Sequence, residues 1–357
     1  MRVALIGPTQ SGKSTLFAAI AEAGGSHVDL SRPDQPHLAV VKVPDDRLQW
    51  LGEHYQPQKV TPAELEFLDL PGMDLSDAAG RGRAQAHWPA MRQSDMLAFV
   101  VRDFDDPTVP PYRSRVDAAA DLEELRTEML FADLEQVTAR VKKLEAAVRK
   151  PTSRRDEQQR ELDLMRRLLE TLEAERPISD AIGSEAEGKL IRSFAFLSQK
   201  PTLAVINCDE DRAAEPGPDE LASLPSLQLS AEIEEELARL EPAERQEFLA
   251  DLGLQRPARD RLIRACYERL NLVTFLTAGG KDEARAWSVP AGTDAVTAAG
   301  EIHSDMSRGF IRAETVAFED LLAAGDMKTA RAQGKVRLEG KSYVVRDGDV
   351  ITFRFNV

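Results

Sequence analysis

The chain has 357 residues, of which 42% are apolar and 30% charged, with a formal net charge of −15. That length exceeds the ~250–300 residues a single core supports, so two or three domains are expected. The acidic balance argues against broad binding to nucleic acid or an anionic membrane, and no partner read by DNA sequence is expected.

Two cysteines, Cys208 and Cys266, exclude a disulfide framework and a structural zinc site. The sequence has no run of about 18 apolar residues, so no membrane-spanning helix is expected. Its start, Met1 to Gly7, reads as a strand entering a glycine loop rather than a secretion signal, which implies a cytoplasmic protein.

In chain order, residues 2–6 form an apolar run closed by Gly7, the pattern of a buried parallel strand, and 13–23 read as a helix. Leu38–Val43, Leu65–Leu68, Met96–Arg102 and Thr202–Asn207 are further strand candidates. Strands alternating with helices predict a doubly wound α/β domain. From about Val116 to Glu175 the alternation stops. One apolar stripe runs through Leu122, Leu125, Met129, Leu134, Val137, Val141, Leu144 and Val148. After a break at Lys150-Pro151-Thr152-Ser153, a second runs through Leu162, Met165, Leu169 and Leu172. Two long antiparallel helices are expected, either as a protruding arm or as a subdomain packed on the core. Ala213 to Pro225 reads as a loop. Beyond Thr274, the short β-type runs Arg285–Val289, Lys335–Leu338, Tyr343–Val345 and Val350–Phe355 point to a small α+β domain.

Gly7-Pro8-Thr9-Gln10-Ser11-Gly12-Lys13-Ser14 matches the phosphate loop G-x-x-x-x-G-K-[ST], with a strand before it and a helix after. Backbone amides of such a loop cradle phosphates, and the helix N-terminus adds a favourable dipole. Lys13 would meet the β- and γ-phosphates, and Ser14 would ligate Mg²⁺. Asp69-Leu70-Pro71-Gly72 closes a later strand; an Asp there holds the metal, and the Gly72 amide meets the γ-phosphate. The chemistry is thus placed on Lys13 and Gly72, the metal on Ser14 and Asp69, and the phosphates on Gly7, Thr9, Gln10, Ser11, Gly12, Lys13, Ser14 and Thr15. The base falls to Asn207, Cys208 and Glu210, with Ser230, Ala231 and Glu232 as a capping loop. Guanine readers use N-K-x-D here; this chain lacks the Lys and has Glu210 in the fourth position, which weakens guanine readout.

Together these residues resemble the Obg-like ATPase, or YchF, family of translation-factor-class P-loop NTPases. The resemblance extends over nearly the whole chain. It is most specific in Thr274-Phe275-Leu276-Thr277-Ala278-Gly279, Arg285-Ala286-Trp287, Ala299-Gly300-Glu301-Ile302-His303 and Arg308-Gly309-Phe310-Ile311-Arg312-Ala313-Glu314, and in Gly348 to Phe355. Phe131-Ala132-Asp133-Leu134-Glu135 resembles the opening of the family's coiled-coil insertion. The implied architecture is a P-loop NTPase (G) domain over 1–112 and 184–273, a helical coiled-coil insertion over 113–183, and a ubiquitin-like β-grasp (TGS) domain over 274–357.

The resemblance further implies a slow Mg²⁺-dependent hydrolase preferring ATP over GTP, and ribosomal RNA or protein contact through the arm and TGS domain. The segment 274–357 holds 11 Lys or Arg against 12 Asp or Glu, so RNA contact there is permitted but not demanded. The family's hydrophobic replacement of the catalytic Gln falls on Met73, whose thioether cannot orient a water as an amide does. His87 is a distant candidate for that task. Counting back from Val43-Pro44-Asp45-Asp46-Arg47-Leu48 puts Pro33 where the family's first switch has a Thr; Ser31 or Asp34 nearby offers an oxygen instead. Gly80-Arg81-Gly82-Arg83 also departs from the family's glycine-rich second switch. A nucleotide-binding scaffold with little hydrolysis, and a conventional GTPase, are therefore the alternatives.

Overall fold

The structure, a computed structural model, describes residues 1–25, 28–150, 153–278 and 282–356. Pro151 and Thr152 of the expected helix break and Gly279 of the C-terminal motif lie outside the described residues. Strand β1 (Arg2–Ile6) enters the glycine loop, which opens helix α1 (Lys13–Ala23). Next come β2 (His37–Lys42), α2 (Asp46–Tyr55), β3 (Lys59–Thr61) and β4 (Glu64–Asp69). Two short helices, α3 (Ala78–Gln85) and α4 (Trp88–Gln93), lead to β5 (Met96–Asp103). Helices α5 (Ala118–Val148), α6 (Arg155–Glu173) and α7 (Glu185–Ile191) precede β6 (Thr202–Cys208). The hairpin β7 (Glu220–Leu221) and β8 (Leu224–Leu229) falls partly in the stretch expected to be loop. It is followed by α8 (Ala231–Arg239), α9 (Pro242–Asp251) and α10 (Ala258–Arg269).

The remainder contains β9 (Leu272–Thr277), β10 (Glu283–Pro290), α11 (Ala295–Ile302) and α12 (Ser304–Arg308). The chain closes with β11 (Phe310–Ala317), α13 (Phe318–Ala324), α14 (Met327–Ala332), β12 (Arg337–Glu339) and β13 (Asp349–Phe355). Two compact units result: residues 1–39 with 66–259, and residues 40–65 with 260–357.

The first unit is built on a seven-stranded sheet in the order β2-β4-β1-β5-β6-β8-β7. β4, β1, β5, β6 and β8 run parallel. Val3, Ala4, Leu5 and Ile6 have no exposed surface, as a parallel strand covered on both faces requires. The carboxyl ends of these strands open at one edge, where open α/β sheets bind ligands.

Helix α5 begins under an Asp117 N-cap that accepts from the Ala120 amide. Its first half, through Leu122, Leu125, Met129 and Ala132, packs into the core of the sheet domain. Its second half turns Val137, Val141 and Leu144 onto Leu162, Met165, Leu168 and Leu172 of α6. Arg140 pairs with Glu161 at 2.7 Å and Arg166 with Glu145 at 2.7 Å, which fixes the antiparallel register. Where the helix leaves the core, fully buried Asp133 accepts hydrogen bonds from Arg92, from the amides of Leu197 and Ser198, and from the Ser198 hydroxyl.

The second unit has a six-stranded sheet in the order β12-β11-β13-β9-β10-β3. One face is apolar, with Phe275 stacked on Trp287 and edge-on to Phe353, over Ala295, Ala298 and Ala299 of α11. The strand expected at Tyr343–Val345 does not form in this sheet. The Tyr343 carbonyl accepts from Ala295, and Val345 donates to Thr293, so the run is tied to the start of α11 instead. Residues 40–65 contribute the edge strand β3, parallel to β10, and helix α2. Arg47 of α2 bridges Asp45 to Asp347, and Trp50 meets Phe318 edge-on at 5.6 Å.

Candidate nucleotide site

The turn after β1 is shaped by its glycines. A Cβ on Gly7 would lie 2.2 Å from the Val100 carbonyl oxygen, so the loop can leave the sheet only without a side chain there. Gly12 has φ 80°, and a Cβ on it would come within 2.1 Å of the Asn207 side-chain nitrogen. Gln10 also takes a positive φ of 63°, which leaves a tight nest of amides between two bends. The Ser11 hydroxyl is buried in this turn without a partner.

Lys13 and Asp69 are each about 4% exposed and form an ion pair. The Ser14 hydroxyl donates to the other oxygen of Asp69 at 2.9 Å. Burial pulls the Lys13 ammonium below the usual lysine range, although Asp69 opposes the shift. A hydroxyl beside a carboxylate is the hard-oxygen donor pair that magnesium takes from a protein when substrate phosphates and water supply the rest. Among the described residues no cluster of three or more His, Cys, Asp or Glu could hold a metal alone. The loop, the partnerless hydroxyl and this oxygen pair thus fit a magnesium-complexed polyphosphate.

A cleft of about 1670 Å³ lies in front of these groups. Thr9, Gln10, Ser11, Gly12, Lys13, Ser14, Thr15 and Gly72 line it together with Asn207, Cys208, Glu210, Ser230, Ala231 and Glu232. Gly7 and Asp69 sit just behind the lining. Asn207 is a brace: its nitrogen donates to the Ser11 carbonyl at 3.0 Å, and its oxygen accepts from the Ala231 amide at 2.8 Å. It therefore ties the phosphate loop to the first residue of α8. The Ser230 hydroxyl caps α8 by accepting from Ile233. Cys208 is buried, which pushes its thiol up to about 11. Partial desolvation, and then the charges of Glu232 and Glu236, raise the Glu210 carboxyl above its ordinary range.

Met73 is 2% exposed and packed in the core, while its backbone pairs with the loop through Thr9 and Gly7. Its side chain does not reach the cleft. Pro33 and Asp34 line the cleft, as do Asp74, Arg83 and His87; Ser31 instead turns its amide to Asp29. Burial, and then the positive charge of Lys13, hold His87 below the usual histidine range. One wall was absent from the sequence reading: Phe104, Asp105, Asp106, Pro107 and Val109. Arg102, 3% exposed, shapes it by donating to the Phe104 and Val109 carbonyls at 3.0 Å and lying 4.2 Å over the Phe104 ring. The available signal was an arginine closing the apolar run of β5.

Known proteins share the sequence and fold of this chain. A family model for the C-terminal domain of YchF-type GTPases matches residues 272–356, and one described as "50S ribosome-binding GTPase" matches residues 2–136. The chain is 41% identical to the ribosome-binding ATPase YchF of Bacillus subtilis (strain 168), covering 99% of this chain and 98% of that one. It is 31% identical to Obg-like ATPase 1 of Caenorhabditis elegans, covering 100% and 92%. The structure of the Schizosaccharomyces pombe YchF GTPase superposes with a TM-score of 0.86 at 28% identity, covering 99% of this chain and 97% of that one. The chain belongs to the YchF, or Obg-like ATPase, family of P-loop NTPases.

Proposed function

We propose that the protein is a magnesium-dependent nucleoside triphosphatase, preferring ATP to GTP, that works as a slow switch on the ribosome. The observation that carries this reading is the buried Lys13–Asp69–Ser14 set behind a glycine loop at the carboxyl ends of the sheet. Lys13, now paired with Asp69, would serve the β- and γ-phosphates of a bound triphosphate, and Ser14 and Asp69 would hold magnesium, which would neutralise the charge shared by those phosphates. Gly72 lines the same cleft, and its amide would meet the γ-phosphate. The preference for ATP rests on Glu210 and Cys208 standing where guanine readers have Asp and Lys.

With the Met73 side chain in the core, the task of orienting water falls to polar groups that line the cleft, among them Asp74, Arg83 and His87, the last close enough to Lys13 to feel its charge. A neutral His87 can accept a proton or a hydrogen bond from water, and Arg83 can meet developing negative charge. The ribosomal partner rests on the names of the relatives.

Single-turnover hydrolysis of radiolabelled ATP with magnesium tests the enzyme reading. Phosphate release well above that of a Lys13→Ala variant is expected. Release no greater than that control leaves the second reading, a nucleotide-stabilised scaffold, which Pro33 favours by bordering the cleft without a hydroxyl. Tighter binding of GTP than ATP would overturn the base preference.

A further inference from the structure

The far end of the helical arm reverses the sign of the whole molecule. Residues 142–160 contain seven Lys or Arg and three Asp or Glu, in a chain whose net charge is −15. Lys142, Lys143, Arg149, Lys150, Arg154 and Arg155 are all exposed, and none has an ion-pair partner among the described residues. The shaft behaves differently: Arg140, Arg166 and Arg167 are paired with Glu161, Glu145 and Glu187. Helix stabilisation accounts for only part of the pattern. Arg149 and Lys150 suit the C-terminus of α5, but Arg154 and Arg155 open α6, where the dipole disfavours cations. The last contact of α5 with the sheet-domain core is Ala132, so Val148 stands about 24 Å farther out at 1.5 Å per residue.

We infer that this end of the arm binds the phosphate backbone of ribosomal RNA. The inference rests on the ribosomal part of the proposed function and names the surface that serves it. A protein partner would need apolar or aromatic anchors. No large apolar side chain is exposed between residues 132 and 189 among the described residues. A cluster of cations without anchors fits a regular polyanion, bound through charge and released by salt.

The test compares the full chain with two variants, Lys142→Gln/Lys143→Gln/Arg149→Gln/Lys150→Gln and Arg154→Gln/Arg155→Gln. All changes are at exposed positions, so melting temperature and ATP turnover should match the parent. Binding is measured to purified 70S ribosomes and to deproteinised ribosomal RNA across a salt series. The fourfold variant should bind both at least tenfold more weakly near 0.1 M salt. Its slope of log affinity against log salt should be shallower by about three to four, near one per cation removed, and the double variant should show roughly half that change. Parental affinity in the fourfold variant, weaker binding with an unchanged slope, or a defect confined to ribosomes and absent on naked RNA would each overturn the inference. Failure of the parent to bind ribosomes would instead sink the ribosomal reading; the RNA series then still decides whether the arm end contacts RNA.

Discussion

Asp69 accepts from both Lys13 and Ser14, so the ammonium of the phosphate loop already has its counter-ion inside the protein. A triphosphate that draws Lys13 away leaves a buried carboxylate beside phosphate oxygens unless a cation arrives with it. Calorimetry should therefore find ATP bound at least about tenfold more weakly in EDTA than in magnesium, and Asp69→Asn should narrow that gap; an equal ratio in the variant counts against the exchange. Asn207→Ala strands the Ala231 amide and the Ser11 carbonyl, at about 1–3 kcal/mol for each buried group left unmade. A lower melting temperature together with weaker binding of both ATP and GTP is expected; loss of base preference alone would contradict the bracing role. His87→Ala should slow single-turnover hydrolysis by about 10²-fold with nucleotide affinity unchanged. Because His87 is held below the usual histidine range, its neutral form persists through that range on acidification. The parental rate should fall only at lower pH, and this fall should vanish in the variant.

At the scale of elements, the arm depends on the Asp133 anchor. Replacing Asp133 by Ala leaves the Arg92 charge and the amides of Leu197 and Ser198 without their acceptor. A loss of about 3–5 kcal/mol in denaturant unfolding is expected, whereas Phe131, two residues earlier and 55% exposed, should tolerate Ala with little change. The same segment shows what the sequence could and could not convey. β1, β5 and the two long helices were legible because continuous apolar runs and 3.6-residue stripes report burial directly. The phosphate loop was legible because its chemistry demands contiguous residues. The wall made by Arg102 and Phe104 was not, because bracing of carbonyls by one arginine leaves no periodic trace. Strand β11 was missed for another reason: Ile311 and Arg312 are exposed while Glu314 and Thr315 are buried, and the register shifts between Phe310 and Arg312, which breaks the alternation of period two. Glu314 is buried because Arg331 and Arg354 pair with it.

At the scale of the molecule, local sequence gives no sign that residues 40–65 belong with 260–357. β3 is only three residues long, and its partner β10 lies more than two hundred residues away. The fragment 260–357 alone lacks β3, α2 and the Arg47–Asp347 bridge. It should melt at a lower temperature than the same fragment with 40–65 fused to it, and equal melting would show the segment to be a passenger. Deleting the C-terminal strands is correspondingly a poor probe of ribosome contact, because it also exposes α2 and β3; point changes avoid this. The split origin of the second sheet also bears on how the molecule is made. Leu48 and Leu51 leave the synthetic machinery about 210 residues before the later part of their unit begins at residue 260, and at 5–20 residues per second that delay is roughly 10–40 s. For that time a half-finished edge strand and a greasy helix face have nothing of their own to cover them. The nascent chain is thus expected to be most prone to aggregation before its last strands are translated, which comparing the solubility of chains truncated near residue 259 with that of the full chain would check.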